Sequence, residues 1–238
     1  TTDTFAKEGF MDFDLNGTII NIAGISKGSG MIHPNMATML GFIVCDLAIE
    51  PKLLNKAVKE CVDMSFNMIT VDGDTSTNDM VAVLCNGMAG NEMIKSEKDE
   101  GYQLFRNRLE EMMVHLAKLI ISDGEGASKF IEYQVVGAPS DKMARTLVRE
   151  ISDSTLVKAA MFGRDPNWGR IVCAAGNAVV PFDYANVDLH LGDNETLIQV
   201  LDKGKPAEFD RNHVKRLLRE SHLRIRLDMN AGEGQGVG

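Results

Sequence analysis

Asn16-Gly17 leaves this chain the least freedom. The pair sits between two alternating runs, Met11, Phe13 and Leu15 before it and Thr18, Ile20 and Ile22 after it. Between runs of period two, Asn-Gly is the strongest short-range signal for a β-hairpin. The hairpin delivers the chain into residues 27–43, KGSGMIHPNMATMLGFI, so the loop that opens this stretch hangs from a rigid support. Gly28, Gly30 and Pro34 allow backbone shapes that regular structure forbids. The bond between Ala37 and Thr38 can therefore sit exposed and strained.

A hydroxyl residue after a small one is the arrangement in which a side-chain oxygen can attack the preceding carbonyl. The resulting ester hydrolyses and leaves Thr38 with a free α-amine. Such an amine titrates near ~8 and can serve as general base for its own hydroxyl. The alternative is an ordinary loop-to-strand junction, and these residues alone favour it. His33, five residues before Thr38, ranks below the threonine's own amine as a base; Asn35 reads as a bend in the loop.

With 238 residues, 44% of them hydrophobic, the chain has ample material for one large or two small domains and no sign of disorder. A net charge of −9 with scattered basic residues argues against a polyanion partner, so nucleic acid is not expected. Cys45, Cys61, Cys85 and Cys173 form no CxxC pair and no metal-ligand spacing with the five histidines. Free buried thiols in a reducing cytosol are expected. No apolar run approaches the ~20 residues of a membrane span, and no signal-peptide pattern opens the chain. The abrupt start at Thr1 and the end in GEGQGVG read as a piece of something longer.

MLGFIVCDLAI (39–49) is continuously apolar and reads as a buried strand. Pro51 opens a helix with Leu54, Val58, Cys61 and Ser65 on one face. TVDGDTSTND (70–79) reads as turns and caps. Asp72, Asp74 and Asp79 do not make a calcium loop, because its sixth and twelfth places would hold Thr77 and Val83. MVAVLCNG follows as a strand or the start of a buried helix. Ser96 with Asp99 resembles a capping box ahead of a helix to about Ile121, with Phe105, Leu109, Met112, Leu116 and Leu119 inward. In DGEGASK (123–129), Glu125 is either a solvated turn residue or a fixed anion aimed at an amine.

A second unit begins at Tyr133: strand EYQVVGA, helix 140–152 capped by Ser140, and a strand at 155–162. DPNWGRI then enters a small-residue helix, and strands VDLHLGD and HLRIRLDMN flank a helix at 210–221. This alternation predicts an α/β fold. Trp168 reads as packing or interface. Neither GEGQGVG nor GSGMIH supports a dinucleotide or phosphate cradle.

KGSGMIHPNMATMLGF resembles the processing site of the ornithine acetyltransferase family, the glutamate N-acetyltransferases of arginine biosynthesis. Thr1-Thr2-Asp3-Thr4, TVDGDTSTND, DGEGASK and GRDPNWGRI (163–171) are similar to further family stretches in the same order. The resemblance covers essentially the whole chain. It implies an α/β, layered αββα sandwich like that of self-processing N-terminal-nucleophile enzymes but of distinct topology, with a second, smaller α/β domain. Residues 1–37 would be the tail of an α chain ending at the cleavage site. Residues 38–132 would be the β-chain part of the sandwich, and 133–238 the second domain, completing the substrate cleft and the dimer contact.

By the same resemblance, cleavage falls between Ala37 and Thr38, and Thr38 is the nucleophile. Thr4, Lys27, Thr38 and Glu125 contact substrate, and no metal is involved. An acetyl group passes from N2-acetylornithine to glutamate through an acetyl-threonine. No cofactor is implied, although some members accept acetyl-CoA as donor. The implied partners are these small molecules, the α and β chains of one precursor, and further αβ units in a homo-oligomer; the compartment is the cytoplasm. The family's oxyanion donors, a Thr-Gly pair, and its C-terminal contacts lie beyond this sequence, so the 238 residues alone are expected to be inactive or nearly so. A self-processing aminopeptidase or amidase, and a non-catalytic scaffold, are the competing readings.

Overall fold

The computed structural model describes residues 2–33, 39–75 and 78–238, and the chain divides into two compact units, Thr1–Glu125 and Gly126–Gly238. In the first unit, β1 (Lys7–Leu15) and β2 (Thr18–Lys27) form the expected hairpin. Leu15 pairs with Thr18 across Asn16 and Gly17, both at positive φ. β3 (Leu40–Cys45) adds antiparallel to β2, and β4 (Met80–Cys85) adds parallel to β3. Helices α1 (Pro51–Met64) and α2 (Glu100–Ser122) pack against each other, and α2 lies along β1 and β2.

The sheet receives α2 through a notch. Gly9 and Gly24 are cross-strand partners; a Cβ on Gly9 would stand 2.9 Å from Met112 Sδ, and one on Gly24 2.9 Å from Leu116 Cδ1. Around that contact Ile20, Ile22, Ile43, Phe105, Leu109, Met112, Met113, Leu116 and Ile120 are fully buried. Both members of the Met112–Met113 pair are thus core filler, as expected.

The apolar run at 39–49 is not buried throughout. β3 alternates, with Gly41, Ile43 and Cys45 inward, while Phe42 and Val44 are 37% and 53% exposed. Continuous hydrophobicity marks two apolar faces, and here helices cover only one. The Ser96 capping box is also displaced. α2 starts at Glu100 with Asp99 as its N-cap, and the Asp99 carboxylate accepts from the backbone N–H groups of Lys95 and Ser96. The Ser96 segment is a turn that precedes the helix.

The second unit contains β5 (Phe130–Ala138), α3 (Asp141–Asp153), α4 (Thr155–Phe162), α5 (Trp168–Asn177), β6 (Asp188–Asp193), β7 (Leu197–Asp202), β8 (Lys205–Pro206), α6 (Arg211–Leu217), β9 (His222–Asp228) and β10 (Gly234–Val237). The six strands lie in the order β10-β5-β9-β6-β7-β8. Ser140 caps α3 by accepting from Met143 N, as the sequence predicts. The predicted strand at 155–162 is instead α4. Ser154 caps it by accepting from Val157 N, and Val157, Ala160 and Met161 are buried at helical spacing, which outweighs the β-branched start. α6 ends at Leu217, earlier than predicted, where Lys129 donates to the carbonyls of Leu218, Arg219 and Glu220. GEGQGVG supplies β10, an edge strand on β5. All four cysteines are free, but Cys173 is exposed and Cys85 half-buried, contrary to the expectation of buried thiols. Among the described residues no helix is long and apolar enough to cross a membrane.

Candidate active site

Strand register assembles the site. Lys27, the last residue of β2, pairs with Leu40 at the start of β3, and Leu40 pairs with Met80 at the start of β4. Three strand ends thus form one row. Met39 is fixed on both sides there: its N–H donates to the Asp79 carboxylate, and its carbonyl accepts from Met80 N. Burial raises the Asp79 carboxyl to about 6, against the opposing pull of the Met39 N–H and the Lys27 charge. Ala37 and Thr38 lie outside the described residues.

The Lys27 side chain is exposed, and its charge reaches Asp79. The loop beyond it is held from two directions. On one side Asp72 accepts from Met31 N (2.6 Å) and Ile32 N (3.0 Å), and Val71 N donates to Ile32 O (2.7 Å). The turn-making aspartate expected in TVDGDTSTND therefore anchors a neighbouring loop as well as its own, since it also accepts from Asp74 N.

On the other side the loop meets the end of α2. Ser29 Oγ donates to Asp123 O (2.6 Å), and Glu125 N donates to Ser29 O (2.9 Å). A Cβ on Gly30 would stand 2.5 Å from Glu125 Oε2, so a side chain there would make that carboxylate swing aside. Glu125 is exposed. It lies in a turn with its carboxylate beside Gly30, a placement that suits both of the readings that its neighbours left open.

Thr4 is tied to the same place through a buried charge cluster. Asp123 Oδ2 accepts from Thr4 N (2.8 Å) and Lys7 Nζ (2.6 Å), and Asp123 Oδ1 accepts from Thr4 Oγ1. Lys7 Nζ also pairs with Asp3, whose Oδ1 accepts from Gly28 N (2.9 Å). Burial would push the Asp123 carboxyl up, but the Lys7 ammonium and the two Thr4 bonds overcome it and hold it at about 2. Thr4, Lys27 and Glu125 are thus all exposed and all connected to one loop.

Asp3, Lys7 and Asp123 were not singled out from the sequence, and Asp79 was read only as a turn or cap residue. One signal was available for Lys7, which shares the inward face of β1 with Phe13 and Leu15. A charge at an inward position of an alternating strand demands a partner. Asp123 gave no such signal, because its partners are more than 100 residues away in sequence.

Comparison with known proteins is consistent along the chain. A family model described as the ArgJ family matches residues 1–237. The arginine biosynthesis bifunctional protein ArgJ of Symbiobacterium thermophilum is 48% identical over 98% of this chain and 57% of its own length. The protein of that name from Staphylococcus epidermidis is 45% identical over all of this chain and 59% of its own. The crystal structure of the Bacillus halodurans protein superposes with a TM-score of 0.79 at 37% identity, covering 84% of this chain and 92% of that one. The chain therefore spans somewhat under three fifths of the length of those curated relatives.

Proposed function

This chain belongs to the ArgJ family, and on that premise we propose that it carries the nucleophile and part of the substrate pocket of a self-processing acetyltransferase of arginine biosynthesis. Scission between Ala37 and Thr38 frees the Thr38 amine. That amine takes the proton from Thr38 Oγ as the oxygen attacks the acetyl carbonyl of N2-acetylornithine. Ornithine leaves with a proton on its nitrogen, and the amine of glutamate then takes the acetyl group from the threonine. Lys27 offers a point charge to a substrate carboxylate, and Glu125 offers an anion to an ammonium. Acetyl-CoA is an alternative donor, the compartment is the cytoplasm, and the cleaved αβ units form a homo-oligomer.

One observation carries this reading. The three predicted substrate contacts, Thr4, Lys27 and Glu125, come from three distant stretches and are tethered to a single loop, whose chain leads into the predicted nucleophile. A second support concerns the sandwich. Phe10, Ile25, Phe42, Val44 and Leu84 stand exposed on the sheet face away from α2. We assign that face to a second sheet from the portion that relatives have and this chain does not span.

The test uses a protein of the relatives' full length carrying this sequence. Intact mass should show two pieces divided after Ala37, and acetyl transfer from acetylornithine to glutamate should vanish in Thr38→Ala. A chain that stays whole, or a Thr38→Ala variant that still transfers acetyl, overturns the proposal. Acetate release that ignores glutamate would point to an amidase instead.

A further inference from the structure

The charge cluster beneath Thr4 fixes more than position. The Asp123 side chain, 3% exposed, carries a negative charge opposite the buried Lys7 ammonium. An ionised carboxylate only accepts hydrogen bonds, and a threonine hydroxyl has a single proton to give. The bond between Thr4 Oγ1 and Asp123 Oδ1 is therefore made with Thr4's proton. Thr4 is exposed, and what its oxygen keeps for an incoming molecule is lone pairs. Three carboxylates, Asp3, Asp123 and Glu125, are linked with Lys7 through Gly28, Ser29 and Gly30, and Lys27 adjoins the same loop at the end of β2.

We infer that Asp123, held by Lys7, is a specificity-determining positioning residue. By claiming the hydroxyl proton it makes Thr4 an obligate acceptor, so the ligand group received there is an N–H donor, an ammonium or amide nitrogen, and not a carboxylate oxygen. The inference rests on the acetyltransferase reading for the choice of amino-acid probes.

Calorimetry on a full-length protein tests it with three probes that keep the carboxylate and lose one nitrogen at a time: ornithine, norvaline without the side-chain ammonium, and 5-aminovalerate without the α-ammonium. Thr4→Val nearly preserves volume and leaves Asp123 its bonds to Lys7 and the backbone of residue 4. It should weaken ornithine about tenfold, the usual effect of one hydrogen bond to a charged group. That factor should fall below about twofold for whichever probe lacks the contacted nitrogen, as the bond it measures is then absent. Thr4→Ser should restore the wild-type pattern.

A penalty that persists undiminished with both norvaline and 5-aminovalerate would mean that Thr4 meets the shared carboxylate, and would overturn the inference. No penalty on ornithine would overturn it too. Asp123→Asn adds an independent arm, since its amide can donate to Thr4 and release the hydroxyl proton, erasing the discrimination. It risks the fold by stranding Lys7, so the Thr4 variants decide. Wild-type protein that binds neither ornithine nor glutamate would refute the acetyltransferase reading itself, a separate result.

Discussion

The two sheets each bury one face beneath helices, and their other faces carry opposite chemistry. On the four-stranded sheet the uncovered side presents Phe10, Ile25, Phe42, Val44 and Leu84, from 37% to 68% exposed. On the six-stranded sheet the corresponding positions hold Glu132, Gln134, His190, Arg224 and Arg226. There Arg224 Nε lies 3.1 Å from Glu132 Oε1, and Arg226 stands between Gln134 and His190 in the register. That second face is polar and half-buried, with Glu132 and Arg224 paired across it. A run of large apolar side chains left exposed side by side on one sheet face marks a surface meant to be covered. The unit that carries the candidate site is thus the one whose sheet calls for another layer.

Placing one charge on each face gives the sharpest contrast. In a full-length protein, Leu84→Lys should cost several kcal/mol, the effective penalty of an ion kept from water. Gln134→Lys on the polar face should stay within ~0.5 kcal/mol, as surface substitutions do. Equal shifts in urea midpoint would break the comparison. Ion pairs divide the units in the same way. Lys7→Met strands Asp123 and Asp3 and should destabilise by ~3–5 kcal/mol, whereas Glu132→Gln, which frees the partly exposed Arg224, should cost only ~0.2–1 kcal/mol.

A smaller effect on stability is expected from Gly30→Ala, with a larger one on function. The added methyl displaces Glu125, and a misplacement of about 1 Å can cost on the order of 100-fold in kcat/KM. Steady-state kinetics beside thermal melts would show whether the two separate; unchanged kinetics would detach Glu125 from the site. The smallest effect is a pair of opposing pH slopes. Asp123, held at about 2, contributes stability that is complete above its ordinary value near 4 and fades as pH falls towards 2. Asp79, raised to about 6, binds its proton more tightly folded than unfolded. Its contribution is present at low pH and is lost as pH rises from about 4 to 6. Asp79→Asn should flatten only the second slope in unfolding curves measured across that range.

Much of the fold was readable wherever local chemistry decides. The Asn16-Gly17 hairpin, the Pro51 helix, the inner face of α2 and the Ser140 cap all rest on contacts within a few residues. Thr155–Phe162 was misread because Thr155, Leu156 and Val157 favour a strand locally, while the Ser154 cap and the burial of Val157, Ala160 and Met161 made a helix. In the site, Thr4, Lys27 and Glu125 were reached through motif resemblance. What holds them was not, since Asp3, Lys7 and Asp123 become partners only when strand β1 is laid beside the end of α2.

The sequence by itself determined the hairpin and the glycine-rich loop, because turn geometry is a property of neighbours. Only the tertiary structure decided that Asp123 takes the proton of Thr4, that Glu125 rests on Gly30, and that one sheet face is apolar and uncovered. Those outcomes depend on which distant groups share a low-dielectric space, and no window of adjacent residues contains that information.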